Sequence, residues 1–137
     1  MITATIKGTK QLEKSLSIMN VVIRDMVFEE IAKKAFKIHS DAVKSIATPS
    51  AGRRYGKHIA SKPGKAPNTD TGRLISSIRV QVDKPSETVS VSSNVKYAVW
   101  LEFGTKKMAA RPWLQPAVDK NKKIRKGDFK IPKVKKV

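Results

Sequence analysis

The chain has 137 residues, no cysteine, and 29 Lys and Arg against 11 Asp and Glu, a formal net charge of +18. That length suits one domain, and the missing cysteine excludes disulfides and Cys-ligated metals. So positive a surface calls for a polyanion, an anionic membrane or an acidic protein as partner, unless the charge only keeps the chain in solution.

Residues 2–7, ITATIK, alternate apolar and polar and read as a short strand. Gly8 breaks it, and Thr9 caps a short helix carrying Leu12 and Leu16. Asn20 then reads as a second N-cap. From 21 to 47, Ile23, Val27, Ile31, Ala35, Ile38, Ala42 and Ile46 recur at steps of three or four, one apolar stripe on a long helix. At 1.5 Å per residue it spans about 40 Å. Pro49 ends it.

Residues 48–69 hold three prolines, three glycines, no acid and no periodicity, so they read as a long loop. Its cationic and titratable residues are Arg53, Arg54, Lys57, His58, Lys62 and Lys65. Loops this long in compact domains are usually functional or disordered. Asp70 or Thr71 then caps a short helical turn. Ile78, Val80 and Val82 alternate with polar residues, as do Val89 and Val91, with a Lys-Pro-Ser turn between them: an antiparallel hairpin. Residues 97–103 form a brief helix closed by Gly104, and 113–118 a further helical turn. From Lys120 onward the chain has nine cations and one acid.

The expected fold is α+β. A short N-terminal strand, a short helix and one long helix pack on a small antiparallel sheet, with a long basic loop and an extended C-terminal tail. Residues 1–119 make one domain and 120–137 a basic tail. No window nears the ~18 apolar residues of a membrane span, and the start lacks the apolar run of a signal peptide. No membrane partner is expected, and the chain is expected in a cytoplasm unless it leaves inside an assembly.

No active site, cofactor site or metal site emerges. His39, Ser40 and Asp41 are adjacent on a helix, where successive side chains diverge by about 100° and cannot converge as a triad. Gly52 to His58 has three residues between its glycines and lacks the Ser or Thr that a phosphate-binding loop places after its Lys. The basic loop is either a solvated surface or a positive finger toward nucleic-acid backbone, where charge matters more than precise geometry. Tyr55 alone could stack on a base, which disfavours sequence-specific readout.

Residues 97–117, YAVWLEFGTKKMAARPWLQPA, hold both tryptophans. As a helix, Tyr97, Trp100, Leu101 and Gly104 lie along one side, Val99 and Phe103 along the other. A helix apolar nearly all round needs cover on both sides. A single core could supply it, or a second subunit could, contacting Tyr97, Trp100, Phe103, Arg111, Trp113 and Leu114.

These residues also carry a resemblance. Thr69-Asp70-Thr71-Gly72-Arg73-Leu74, Ser77-Ile78, Tyr97-Ala98, Glu102-Phe103-Gly104-Thr105, Met108 and Arg111-Pro112-Trp113-Leu114-x-Pro116-Ala117 occur in an order similar to that of the head–tail joining, or tail-completion, proteins of long-tailed bacteriophages. Gly64-Lys65-Ala66-Pro67 resembles a common variant in the same family. The likeness covers residues 9 to about 120, and the C-terminal tail departs from the helix expected there. It implies a non-enzymatic virion protein of the neck or tail end, made in the host cytoplasm. It implies a homo-oligomeric ring, typically hexameric, stacked on adjacent neck and tail ring proteins around the passage for phage DNA. A free, nucleoid-type protein that binds nucleic acid without sequence preference is the rival reading. It explains the charge but not the EFGT and RPWL segments.

Overall fold

The computed structural model describes residues 9–123 and 125–128. The strand expected at 2–7 and the end of the tail, 129–137, lie outside the described residues. Within them the fold is α+β, with one long helix, short helices and two small antiparallel ladders.

Helix α1 runs unbroken over Thr9–Ala47, 39 residues, or about 58 Å. The break expected at Asn20 is absent. Asn in a helix interior costs under about 0.7 kcal/mol relative to Ala. Starting a second helix would incur the larger nucleation cost again. With no glycine or proline to interrupt it, the helix continues.

The apolar stripe is covered only along its C-terminal half. Ala35, Ala42 and Ile46 are buried there. Of the stripe, Ile23 and Ile31 are exposed, and so, N-terminal to it, are Leu16, Ile18, Met19, Val21 and Val22. The cause is the length of the partner. Strands β3 (Ile78–Asp83) and β4 (Thr88–Ser93) form the expected hairpin, in the register Ile78↔Ser93, Val80↔Val91 and Val82↔Val89. Its base lies by His39, whose Nε2 is 3.3 Å from the Ile78 carbonyl oxygen. Its tip is tied to α1 by Arg24–Glu87 at 2.6 Å and Lys84–Asp25 at 3.6 Å. Six-residue strands reach no further, so the helix N-terminal to Arg24 projects past the sheet.

The core gathers at the other end of α1. Ala42 and Ile46 meet Leu74 of α2 (Arg73–Ser77), Ile78, Val95, Ala98 of α3 (Tyr97–Phe103), Trp113, and Ala117 of α4 (Gln115–Asn121). No side-chain cap opens α2. Gly72 precedes it with φ 74°, so neither Asp70 nor Thr71 plays the expected capping part.

Helix α4 carries the packed chain to Asn121, two residues past the boundary drawn from composition. Asn121 is buried, and its Nδ2 donates to Asp41 Oδ2 at 2.8 Å and to the Ala117 carbonyl at 2.9 Å. A 3-10 turn at Lys126–Asp128 then brings Asp128 to 3.1 Å from Lys34. The first residues of the tail thus lie against α1.

The Asn121 hydrogen bond, aided by the charges of Lys120 and Lys44, holds the Asp41 carboxyl below its usual value against the opposing effect of burial. A carboxylate depressed on folding stabilises the fold above its unfolded value of about 3.9, and that contribution fades as pH falls through the folded value. The α1–α4 contact is therefore expected to hold steady from pH 7 to 5 and to weaken below about pH 4. Asp119 and Asp128 shift the same way at the surface, so the comparison must isolate Asp41. Urea unfolding of the parent and of Asp41→Asn at pH 7 and pH 3 does so. The variant should lose less stability on acidification, and equal losses would discard the assignment.

Candidate functional site

The 48–69 segment is better ordered than its composition suggests. Arg54–Tyr55 (β1) and His58–Ile59 (β2) pair as a two-residue ladder, turned at Gly56 and Lys57. The Ala60 amide donates to the Arg53 carbonyl at 2.9 Å. Asn68 staples the base. Its Oδ1 accepts from the Ser50 amide, and its Nδ2 donates to the Ser50 and Ile59 carbonyls, each at 2.8 Å. Gly52 permits the closure, since a Cβ there would sit 1.8 Å from the Ala60 carbonyl oxygen. The structureless loop expected from sequence is thus a small stapled hairpin.

Its cations point outward. Arg53, Arg54, Lys57, Lys62 and Lys65 are exposed, and His58 is half-buried. The Arg53 guanidinium lies 5.4 Å from the Tyr55 ring centre, a cation–π distance. His58, without a carboxylate near it in sequence, acquires one in space: its Nδ1 is 3.8 Å from Asp70 Oδ1.

This hairpin is clamped to the aromatic segment. The Gly64 amide donates to the Ala110 carbonyl at 2.9 Å, and Arg111 Nε donates to the Ser61 carbonyl at 3.2 Å. Between the two segments lies a groove of about 710 Å³, walled by His58, Asp70, Arg73, Tyr97, Leu101 and Arg111 among others. Ser61 is buried beside it, and its Oγ has no hydrogen-bond partner among the described residues.

The motif residues of 97–117 each have a local task. Glu102 reaches across to the start of α4. Its Oε2 accepts from the Trp113 and Leu114 amides at 2.9 Å each, and its Oε1 from the Gln115 amide at 2.8 Å. A carboxylate on the unpaired amides of a helix N-terminus satisfies both hydrogen bonding and the helix dipole. Gly104, at φ 75°, turns the chain into a tight loop closed by the Thr105–Met108 bridge. A Cβ at Gly104 would stand 2.8 Å from both the Ala110 amide nitrogen and the Met108 carbonyl oxygen. The chain returns as the Arg111 amide donates to the Leu101 carbonyl at 2.6 Å.

The six residues considered for a subunit contact separate into two groups. Trp113 is a core residue, 4% exposed, and its Nε1 donates to the Ala98 carbonyl at 3.1 Å. Tyr97, Leu114 and Arg111 are half-buried within the chain. Trp100 is 55% and Phe103 79% exposed, and Val99 is exposed beside them. The facing expected from sequence is therefore corrected. Trp100 shares the outer face of α3 with Val99 and Phe103, while Ala98 and Leu101 turn inward. Sequence reading missed Glu102 and Asn68 as structural ties. A lone acid in an otherwise apolar helix and a lone Asn behind a proline were the available signals.

Among the described residues, no group of three or more His, Asp or Glu could hold a metal ion, and no helix is long and apolar enough to cross a membrane. His39 and Asp41 turn to different partners, the Ile78 carbonyl and Asn121.

A family model described as "Bacteriophage HK97-gp10, putative tail-component" matches residues 9–104. The chain belongs to the HK97-gp10-like family. It is thereby a structural component of a phage tail, a virion part that meets other tail or neck proteins. The match opens on the first residue of α1 and closes on Gly104. It agrees with the resemblance to head–tail joining proteins, while the Arg-Pro-Trp-Leu segment lies beyond it. Neither the curated proteins nor the solved structures supply a match.

Proposed function

We propose that this tail component forms a homo-oligomeric ring, of hexameric order, at the neck or tail end, and that the ring surrounds the passage for DNA. The observation that carries the reading is the pairing, at one end of the molecule, of an uncovered aromatic face with a stapled basic hairpin. Trp100 and Phe103 are large aromatics of the kind that anchor interface cores. The hairpin supplies Arg53, Arg54, Lys57, Lys62 and Lys65 with no acid among residues 51–65. Hydrogen bonds at its base aim those charges without pairing them. Such a surface suits phosphate backbone and gives no sequence readout.

Two measurements test the proposal. A particle reconstruction should place the chain in a ring at the head–tail junction or tail end, and a lone copy there would end the ring reading. For the hairpin, contact with about four phosphates gives a log–log salt slope of DNA binding near −3 to −4. Replacing Arg53, Arg54 and Lys57 with Ser together should reduce the slope by about two to three and leave melting unchanged. Lost assembly with an unchanged slope would assign the charge to an acidic ring neighbour instead.

A further inference from the structure

The two ends of α1 present surfaces that complement each other. We infer that the projecting N-terminal arm, with the acidic hairpin tip beside it, docks on the outer face of α3 and the basic hairpin of the next copy of this chain. This rests on the ring proposed above and names the contact that closes it.

The arm is the larger apolar surface. Leu16, Ile18, Met19, Val21, Val22 and Ile23 are exposed over about two turns. They leave roughly 500 Å² of apolar surface bare, at the upper end of what a monomer normally shows. At the other end, Val99, Trp100 and Phe103 leave roughly 400 Å² bare, given about 150–250 Å² per aromatic. The six arm residues spread over about 220° of the helix at 100° per residue, so one docking face takes roughly half of their area, and the two patches bring roughly 650 Å² toward the apolar share, about 900 Å², of a standard 1,600 Å² interface.

Charge orients the contact. Asp25, Glu29, Glu30, Asp83 and Glu87, five of the chain's eleven acids, gather where α1 meets the hairpin tip, and three of them pair there with Lys84, Lys33 and Arg24. Among the described residues neither Glu29 nor Asp83 has a cation within ion-pair distance. The far end carries Arg53, Arg54, Lys57, Lys106 and Lys107, all exposed. Between Arg24 and Ala47 the helix advances about 35 Å, too far for these groups to meet within one chain. Arm against arm would leave both acidic tips together and both aromatic faces bare. Arm against α3 pairs acid with base and apolar with apolar, which is a heterologous interface of the kind that generates rings.

The chain has no cysteine, so an introduced pair reads the contact directly. Ile23→Cys and Phe103→Cys both alter exposed positions. In particles assembled with the full-length double variant, a short bismaleimide should give a ladder of covalent multimers on a denaturing gel. Each single variant should stay monomeric. Ile23→Cys alone yielding dimers would overturn the proposal in favour of an arm-to-arm contact. A ring visible in reconstruction without any ladder would overturn it while leaving the ring intact, whereas a lone copy in the particle would remove the ring and this contact with it. A second variant, Ile23→Asp, should melt like the parent yet enter particles at least about tenfold less well. Normal incorporation would overturn the docking role of the arm.

Discussion

Trp113→Ala is expected to destabilise the fold by about 3–5 kcal/mol, as large aromatic truncations in a packed core do. For a domain of this size that lowers the melting temperature by roughly 10–20 °C. The ring fills the space between Ala42, Ile46, Leu74, Ala98 and Ala117, and three small alanines can do little to close the cavity left behind. Trp113→Phe keeps most of the volume and loses the bond to the Ala98 carbonyl, so about 1–2 kcal/mol is expected. Trp100→Ala gives the contrast. Its ring is more than half exposed, so the change should cost under about 1 kcal/mol in the monomer while lowering incorporation into particles. Thermal melts of the three variants, read beside particle yield, decide the matter. Equal melting losses at both tryptophans would refute the division of the aromatic segment into a core half and an outward half.

Glu102→Ala is expected to cost about 2–4 kcal/mol, because one carboxylate serves three amides at the start of α4. Alanine is the best helix former, so α3 itself gains from the substitution and any loss arises across the gap, at residues 113–115. Glu102→Gln should recover part of the loss, since its amide keeps one accepting oxygen and turns a donor toward the remaining amide. Hydrogen exchange gives the specific readout: the amides of Trp113, Leu114 and Gln115 should exchange faster in Glu102→Ala, while those at the base of the β3–β4 hairpin hold their protection. Unchanged exchange at 113–115 would remove the capping role.

The sequence was legible where a pattern repeated for long enough. Ile23 to Ile46 announced a helix, and the alternation of Ile78, Val80 and Val82 with polar neighbours announced an antiparallel hairpin, which the structure forms. Short devices stayed hidden. Two residue pairs, Arg54–Ile59 and Tyr55–His58, are too few to show a period. The staple at Asn68 depends on an 18-residue return to Ser50 that no local rule predicts. Asn20 misled because its capping preference is a weak local signal, overridden by continuing helix on both sides. For the aromatic segment, the expected facing put Trp100 with Tyr97 and Leu101, and apolar residues all round α3 gave no pattern against it. The facing was set by Trp113, which folds back from beyond the next turn to cover Ala98. The charge of the 53–65 cations was plain from composition, whereas their attachment to Ala110 and Arg111 was not.

The unbroken length of α1 has a mechanical consequence. A helix without glycine or proline lacks the usual sites of kinking, so Thr9–Ala47 moves as a strut rather than as two jointed pieces. The sheet grips it between Arg24 and His39, near its middle. Its C-terminal end is seated in the core through Ala42 and Ile46, so the domain tilts with it as one body. A tilt of about 10° about Arg24 displaces a point about 35 Å further along the helix by roughly 6 Å. That point is Ala47, from which the chain runs directly into the stapled basic hairpin. In a ring built from this chain, the width of the central opening would follow the angle at which each strut is seated.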